Sequence, residues 1–147
     1  LQFCNDSRYD GCNDNFLKDT DMGLDMYAFK MKAKEAGDIQ TISGWPEEMR
    51  EEIAYWRKFN HLHGWMETLY IEKGGTDEFN CVYVRLEQAD LDRLEGDLYG
   101  GRLEHTPGFF FGGDEMQEWD VTRTSAFIKD AKQALLDGYA VFYYSWW

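Results

Sequence analysis

The segment Tyr55-Trp56-Arg57-Lys58-Phe59-Asn60-His61-Leu62-His63-Gly64-Trp65 gathers the side chains of this 147-residue chain that are best suited to chemistry. Read as one helix, Ile53, Trp56, Asn60 and His63 share a face, with Asn60 and His63 at i and i+3. Polar groups on an apolar face must find partners or cost about 1–3 kcal/mol in desolvation. One reading has Asn60 and His63 hydrogen-bonded to backbone at a sheet edge. The functional reading has them lining a pocket with Trp56, while Arg57 or Lys58 supplies a cation for an anionic ligand. In an enzyme, His63 is the candidate acid or base, with Asn60 as its orienter.

Other constellations carry less. His61 and His63 are two residues apart and diverge by about 200° on a helix, so they do not share a metal, and His105 has no ligand spacing to either. No metal and no cofactor is expected. Asp114, Glu115 and Glu118 are candidate paired carboxylates, although an acidic solvated loop explains them as well. Cys81 sits in an apolar strand and reads as a small core residue. The sequence has no P-loop, no Gly-x-Gly-x-x-Gly, no His-Glu-x-x-His and no Gly-x-Ser-x-Gly, which disfavours a conventional hydrolase or nucleoside-triphosphate enzyme.

The formal charge is −13. Residues 1–21 hold five Asp against two basic residues, so most of that charge belongs to the rest of the chain. It concentrates between Glu87 and Asp120, where ten acidic residues face only Arg93 and Arg102. Such a surface repels phosphates, so direct nucleic-acid or membrane binding is not expected. It serves solubility, or it competes with nucleic acid for a basic protein partner. No apolar run approaches the roughly 20 residues that cross a bilayer. Cys4, Cys12 and Cys81 are an odd count at no metal spacing, so a disulfide framework is unexpected and the chain reads as cytoplasmic.

The elements that must position these groups read as one α+β domain over residues 22–147. Residues 1–21 lack either hydrophobic period and read as a flexible leader or upstream extension, with Met22 as the natural start. Residues 24–31 alternate as a strand with two apolar faces, and residues 32–44 read as a loop. Pro46, Glu47 and Glu48 predict a helix start, and the pattern runs helix-compatible to about Ile71, closed by Gly74-Gly75. A strand follows over 80–86 and a helix over 88–98. Phe109-Phe110-Phe111 reads as a short buried strand, and Trp119 and Val121 extend a further one. Thr124 is placed as the cap of a helix through Asp137, and residues 140–147 close the chain as a strand. The order β-α-β-α-β-α-β predicts a mixed sheet of about four strands with about three helices on it. The terminal Tyr143, Tyr144, Trp146 and Trp147 are core, or, if one face is open, a patch for a homo-oligomer or another partner.

The run MGLDMY from Met22, the run YWRKFNHLHGW, the Gly-Phe-Phe-Phe-Gly stretch followed by Glu-x-x-x-Trp, and the closing YYSWW resemble an uncharacterised family of small phage and prophage proteins. The resemblance spans roughly residues 22–147; Phe59 departs from the Ala usual between Lys and Asn. It implies origin and boundaries, with the host cytoplasm as setting, and carries no established activity. The expected function is therefore a phage-type accessory protein that binds a small anionic ligand or a host protein through Trp56, Arg57, Asn60 and His63. The alternatives are an acidic inhibitor of a basic, nucleic-acid-handling host factor, and an enzyme of unrecognised type using His63.

Overall fold

The computed structural model describes residues 23–108 and 112–147. The expectations for residues 1–21, for Met22 and for a strand at 109–111 lie outside the described residues.

In chain order the elements are β1 (Asp25–Lys32), α1 (Ala33–Ala36), β2 (Thr41–Ile42), a single 3-10 turn (Glu47–Met49), β3 (Glu51–Arg57), α2 (Asn60–Glu72), β4 (Tyr83–Leu86), α3 (Gln88–Tyr99), α4 (Glu118–Leu136) and β5 (Tyr139–Trp146). The five strands form one sheet in the order β2-β4-β5-β1-β3, with every neighbouring pair antiparallel. The α+β class holds. The sheet is antiparallel rather than mixed, and its fifth strand, β2, comes from the stretch expected to be loop.

Period-2 alternation splits the sheet into two apolar faces, as both faces of β1 predict. Met26, Ala28, Trp56, Val84, Leu86, Val141 and Tyr143 belong to the larger core, which α2, α3 and α4 supply from outside the sheet. Phe29, Met31, Tyr83, Phe142 and Tyr144 form a second core closed by Trp45 and Ala36. Arg50 lies 4.3 Å over the Phe29 ring and donates to the Tyr83 hydroxyl, capping that aromatic face with a cation. The closing aromatic run is therefore mainly core, with Tyr143 fully buried and Trp147 at its rim, 36% exposed.

The expected helix from Pro46 to Ile71 is corrected into a turn, a strand and a helix. Met49, Ile53, Trp56, Asn60 and His63 satisfy a helical spacing by coincidence while belonging to three elements. Glu51–Arg57 gains more by pairing with β1, where Met26 faces Trp56 and Tyr27 faces Tyr55. Lys58, at φ 58°, turns the chain out of the strand, and α2 starts two residues later. The expected strand at Trp119 and Val121 is the first turn of α4, where Glu118 and Asp120 complement the helix dipole. Thr124 consequently lies inside α4, its hydroxyl donating to the Asp120 carbonyl one turn back at 2.7 Å.

Cys81 is buried, at φ 64°, and is disulfide-bonded. The bond corrects the expectation that no disulfide forms; the other two cysteines lie outside the described residues. Among the described residues no helix is long and apolar enough to cross a membrane.

Candidate functional site

Residues 57–61 join β3 to α2, and the loop entering α4 folds back over them. Together they enclose a cleft of about 600 Å³. Arg57, Lys58, Asn60 and His61 line one wall; Gly112, Gly113, Asp114, Glu115 and Asp120 line the other.

Asn60 holds the two walls in register. It is 1% exposed, its Oδ1 accepts from the Thr106 backbone N–H at 2.8 Å, and its Nδ2 donates to the Gly113 carbonyl at 2.6 Å. One amide thus satisfies backbone groups on both sides of residues 109–111, as its two-sided chemistry allows. His61 adds a second tie, with Nε2 donating to the Asp114 carbonyl at 3.2 Å. Burial lowers the His61 pKa, and the same carbonyl opposes that shift in part.

Two close approaches require glycine. Gly112 sits at φ 102°, and a Cβ there would lie 2.4 Å from the Lys58 carbonyl oxygen. Gly64 lies inside α2, and a Cβ there would meet the Thr106 hydroxyl at 1.9 Å. The two positions let Thr106 lie directly on α2 and Gly112 directly on the β3–α2 junction.

Charge divides the cleft. The α2 terminus offers Arg57, Lys58 and the positive end of a 13-residue helix, which has no acidic residue in its first turn and an N-cap residue, Phe59, that cannot cap through its side chain. The facing wall offers carboxylates. Arg57 also lies 3.8 Å from Asp25, whose carboxylate accepts from the Tyr55 hydroxyl at 2.6 Å. Asp120 is 5% exposed, and among the described residues its Oδ1 has no hydrogen-bond partner. Burial raises its pKa, while the Gln117 backbone N–H and Arg123 offset the rise in part.

The four residues expected to form one site are not brought together. Arg57 and Asn60 share this cleft. Trp56 is fully buried in the larger core, its indole N–H donating to the Thr124 hydroxyl at 3.0 Å. His63 lines a different cavity; its Nδ1 lies 2.8 Å from the Tyr143 hydroxyl, and burial lowers its pKa to about 3. A histidine that stays neutral down to that pH is a weak base at neutrality. His61 comes to the cleft with its neighbour Asn60, whereas Gly112, Gly113 and Asp120 carry no local signal as site residues, because only long-range folding brings them there.

The acidic stretch is partly neutralised within the chain. Lys73 contacts Asp90 at 2.7 Å and Glu87 at 3.8 Å, Lys132 contacts Asp92 and Glu95 at 3.0 and 2.8 Å, and Arg102 contacts Asp97 at 2.9 Å. Five of its ten carboxylates therefore meet the chain's own cations. His105 lies ring-to-ring with His61 at 5.8 Å, and among the described residues no group of three or more metal-ligating side chains is placed to hold a metal ion. Comparison of the chain with protein-family models, with curated proteins and with solved structures returns no match.

Proposed function

We propose that the chain is a binding module for a small ligand bearing an anionic group, seated in the cleft between the β3–α2 junction and the loop entering α4. The observation that carries this reading is the convergence of Arg57, Lys58 and the N-terminal end of α2 on one wall of a cleft in a chain of charge −13. Fixed cations and helix amides provide charge-assisted donors without reorganisation. The carboxylates opposite favour a compact anion held against α2 over a polyanion filling the cleft, because a large anion would meet Asp114 and Glu115.

A phage-type accessory role belongs to the same proposal, resting on the sequence resemblance. A cytoplasmic setting has less support, since the disulfide at Cys81 suits an oxidising compartment. Inhibition of a basic host factor by the acidic stretch also has less support, because its α3 carboxylates are engaged by Lys73, Lys132 and Arg102.

Lys58 provides a test in which strain and charge separate. Its φ of 58° is unfavourable for a residue with a Cβ. Lys58→Gly is expected to leave stability unchanged or raise it by about 0.5–1 kcal/mol through relief of that strain. The same variant is expected to weaken binding of malonate or inorganic phosphate about five- to tenfold at low salt, since it removes one charge–charge contact. Amide chemical shifts of Asn60, His61, Gly112 and Gly113, followed during titration, provide the measurement. Absence of a saturable shift at these amides, or equal affinity in Lys58→Gly, would remove the reading.

A further inference from the structure

The first turn of α2 brings to the cleft a group whose charge can change near neutral pH. His61 is the second residue of that helix, is 5% exposed and lines the cleft beside Asn60. The Phe59 and His105 rings lie 5.7 and 5.8 Å from its own. With Nε2–H donated to the Asp114 carbonyl at 3.2 Å, Nδ1 is the nitrogen that takes up a proton when the ring ionises.

The charged groups around the ring act in two directions. Arg57 and Lys58 precede α2, and the helix end itself is positive, so all three oppose an imidazolium. His105 opposes it as well whenever both rings carry a proton. Asp114 and Glu115 from the loop entering α4, and Asp120 from its first turn, favour it. Burial tips the balance toward the neutral ring. It is the largest cause of the lowered His61 pKa, to which His105 adds and which the Asp114 carbonyl and carboxylate oppose.

We propose that an anion seated against α2 draws a proton from solvent onto His61, so that the bound cleft carries an imidazolium and holds its ligand more tightly as the pH falls. Such regulation rests on the reading of this cleft as an anion site. An anion there offsets the field of Arg57, Lys58 and the helix end, the field that disfavours the charged ring. The effect is electrostatic and requires no contact between ring and ligand, which suits a buried side chain. Protonation also makes Nε2–H a charge-assisted donor to the Asp114 carbonyl, holding the outer wall more firmly. Linkage is reciprocal: the factor that the proton gains from the anion, the anion gains from the proton. The gain is absent above the His61 midpoint of the bound state, grows as the pH falls through it, and is complete below the midpoint of the free state.

Sulfate is the probe, because its charge stays fixed across the range in which malonate and phosphate themselves titrate. The His61 ring Cε1–H shifts, followed from pH 7.5 to 5 with and without saturating sulfate, are expected to give a midpoint about 0.5–1 pH unit higher with the anion. Sulfate affinity, read from the Asn60, Gly112 and Gly113 amide shifts, is expected to rise about two- to fivefold over the same range, as that displacement dictates. His61→Gln retains a donor for the Asp114 carbonyl and keeps His105 and every carboxylate, so the part of the rise due to His61 is expected to be lost in it. The wild-type midpoint decides the matter even if that variant fails to fold. Saturable sulfate binding with an unmoved His61 midpoint would overturn the proton coupling and leave the anion site standing. So would a displaced midpoint at His105 alone. No saturable sulfate binding at either end of the range would remove the anion site and the coupling together.

Discussion

Lowering the pH from 7 to 4 is expected to destabilise the protein by about 3 kcal/mol more than it destabilises a His63→Gln variant. His63 is 1% exposed, and burial lowers its pKa from 6.5 to about 3. The unfolded chain therefore takes up the proton first. The contribution of a neutral His63 is fully present above pH 6.5 and is lost as pH falls through 6.5 toward 3. At about 1.36 kcal/mol per pH unit the complete loss is on the order of 5 kcal/mol, of which about 3 kcal/mol has gone by pH 4. Glutamine can still hydrogen-bond the Tyr143 hydroxyl but carries no titrating group, so its fixed cost does not vary with pH. His61, lowered by burial, adds a loss of the same sign, and Asp120, raised by burial, acts in the opposite sense. Both are present in the two proteins and cancel in the difference. Urea unfolding at half-unit intervals from pH 4 to 7.5 gives the measurement. Parallel stability curves would mean that His63 accepts a proton inside the fold, and the assignment of a neutral cavity wall would fall with it.

The same residue shows what the sequence could reveal and what it could not. A polar residue among apolar neighbours correctly marks His63 as one that needs a partner, yet the partner is Tyr143, 80 positions away. Local spacing identifies such a demand and is silent on what meets it. The elements that were legible are those in which period and punctuation agree: β1, α3 closed by Gly100-Gly101, and β5 after Gly138 at φ 91°. Residues 46–57 were not legible because Glu51–Arg57 satisfies both a helical and a strand period. The choice between them was made by backbone pairing with β1, 21–32 residues earlier, which no local pattern records. The cleft follows the same logic. Arg57 and Asn60 were marked by type, whereas Gly112, Gly113 and Asp120 reach them only because Asn60 binds Thr106 and Gly113 on either side of the 109–111 segment.

Replacing Trp56 distinguishes the two architectures most sharply, because the helix reading puts its indole in the ligand site and the strand reading puts it in the core. Trp56 is fully buried, packs edge-on against Phe127 at 5.1 Å and donates to Thr124 at 3.0 Å. Trp56→Ala is expected to cost about 3–5 kcal/mol, the lost transfer energy together with the cavity left between β3 and α4. Trp56→Phe retains most of the apolar volume and loses the indole N–H; the Thr124 hydroxyl keeps its bond to the Asp120 carbonyl, so the cost falls to about 1–2 kcal/mol. In a double-mutant cycle with Thr124→Val the two changes are expected to be non-additive by about 0.5–1.5 kcal/mol, the coupling of one buried hydrogen bond. Anion affinity at the cleft is expected to stay within twofold of wild type in Trp56→Phe, measured well below its unfolding temperature. A loss of anion affinity as large as that in Lys58→Gly, without a loss of stability, would return Trp56 to the binding site and make the strand assignment of Glu51–Arg57 untenable. Near-additive stability effects together with unchanged anion binding would remove the Trp56–Thr124 hydrogen bond as the link between β3 and α4 and leave apolar packing to hold that face of the sheet.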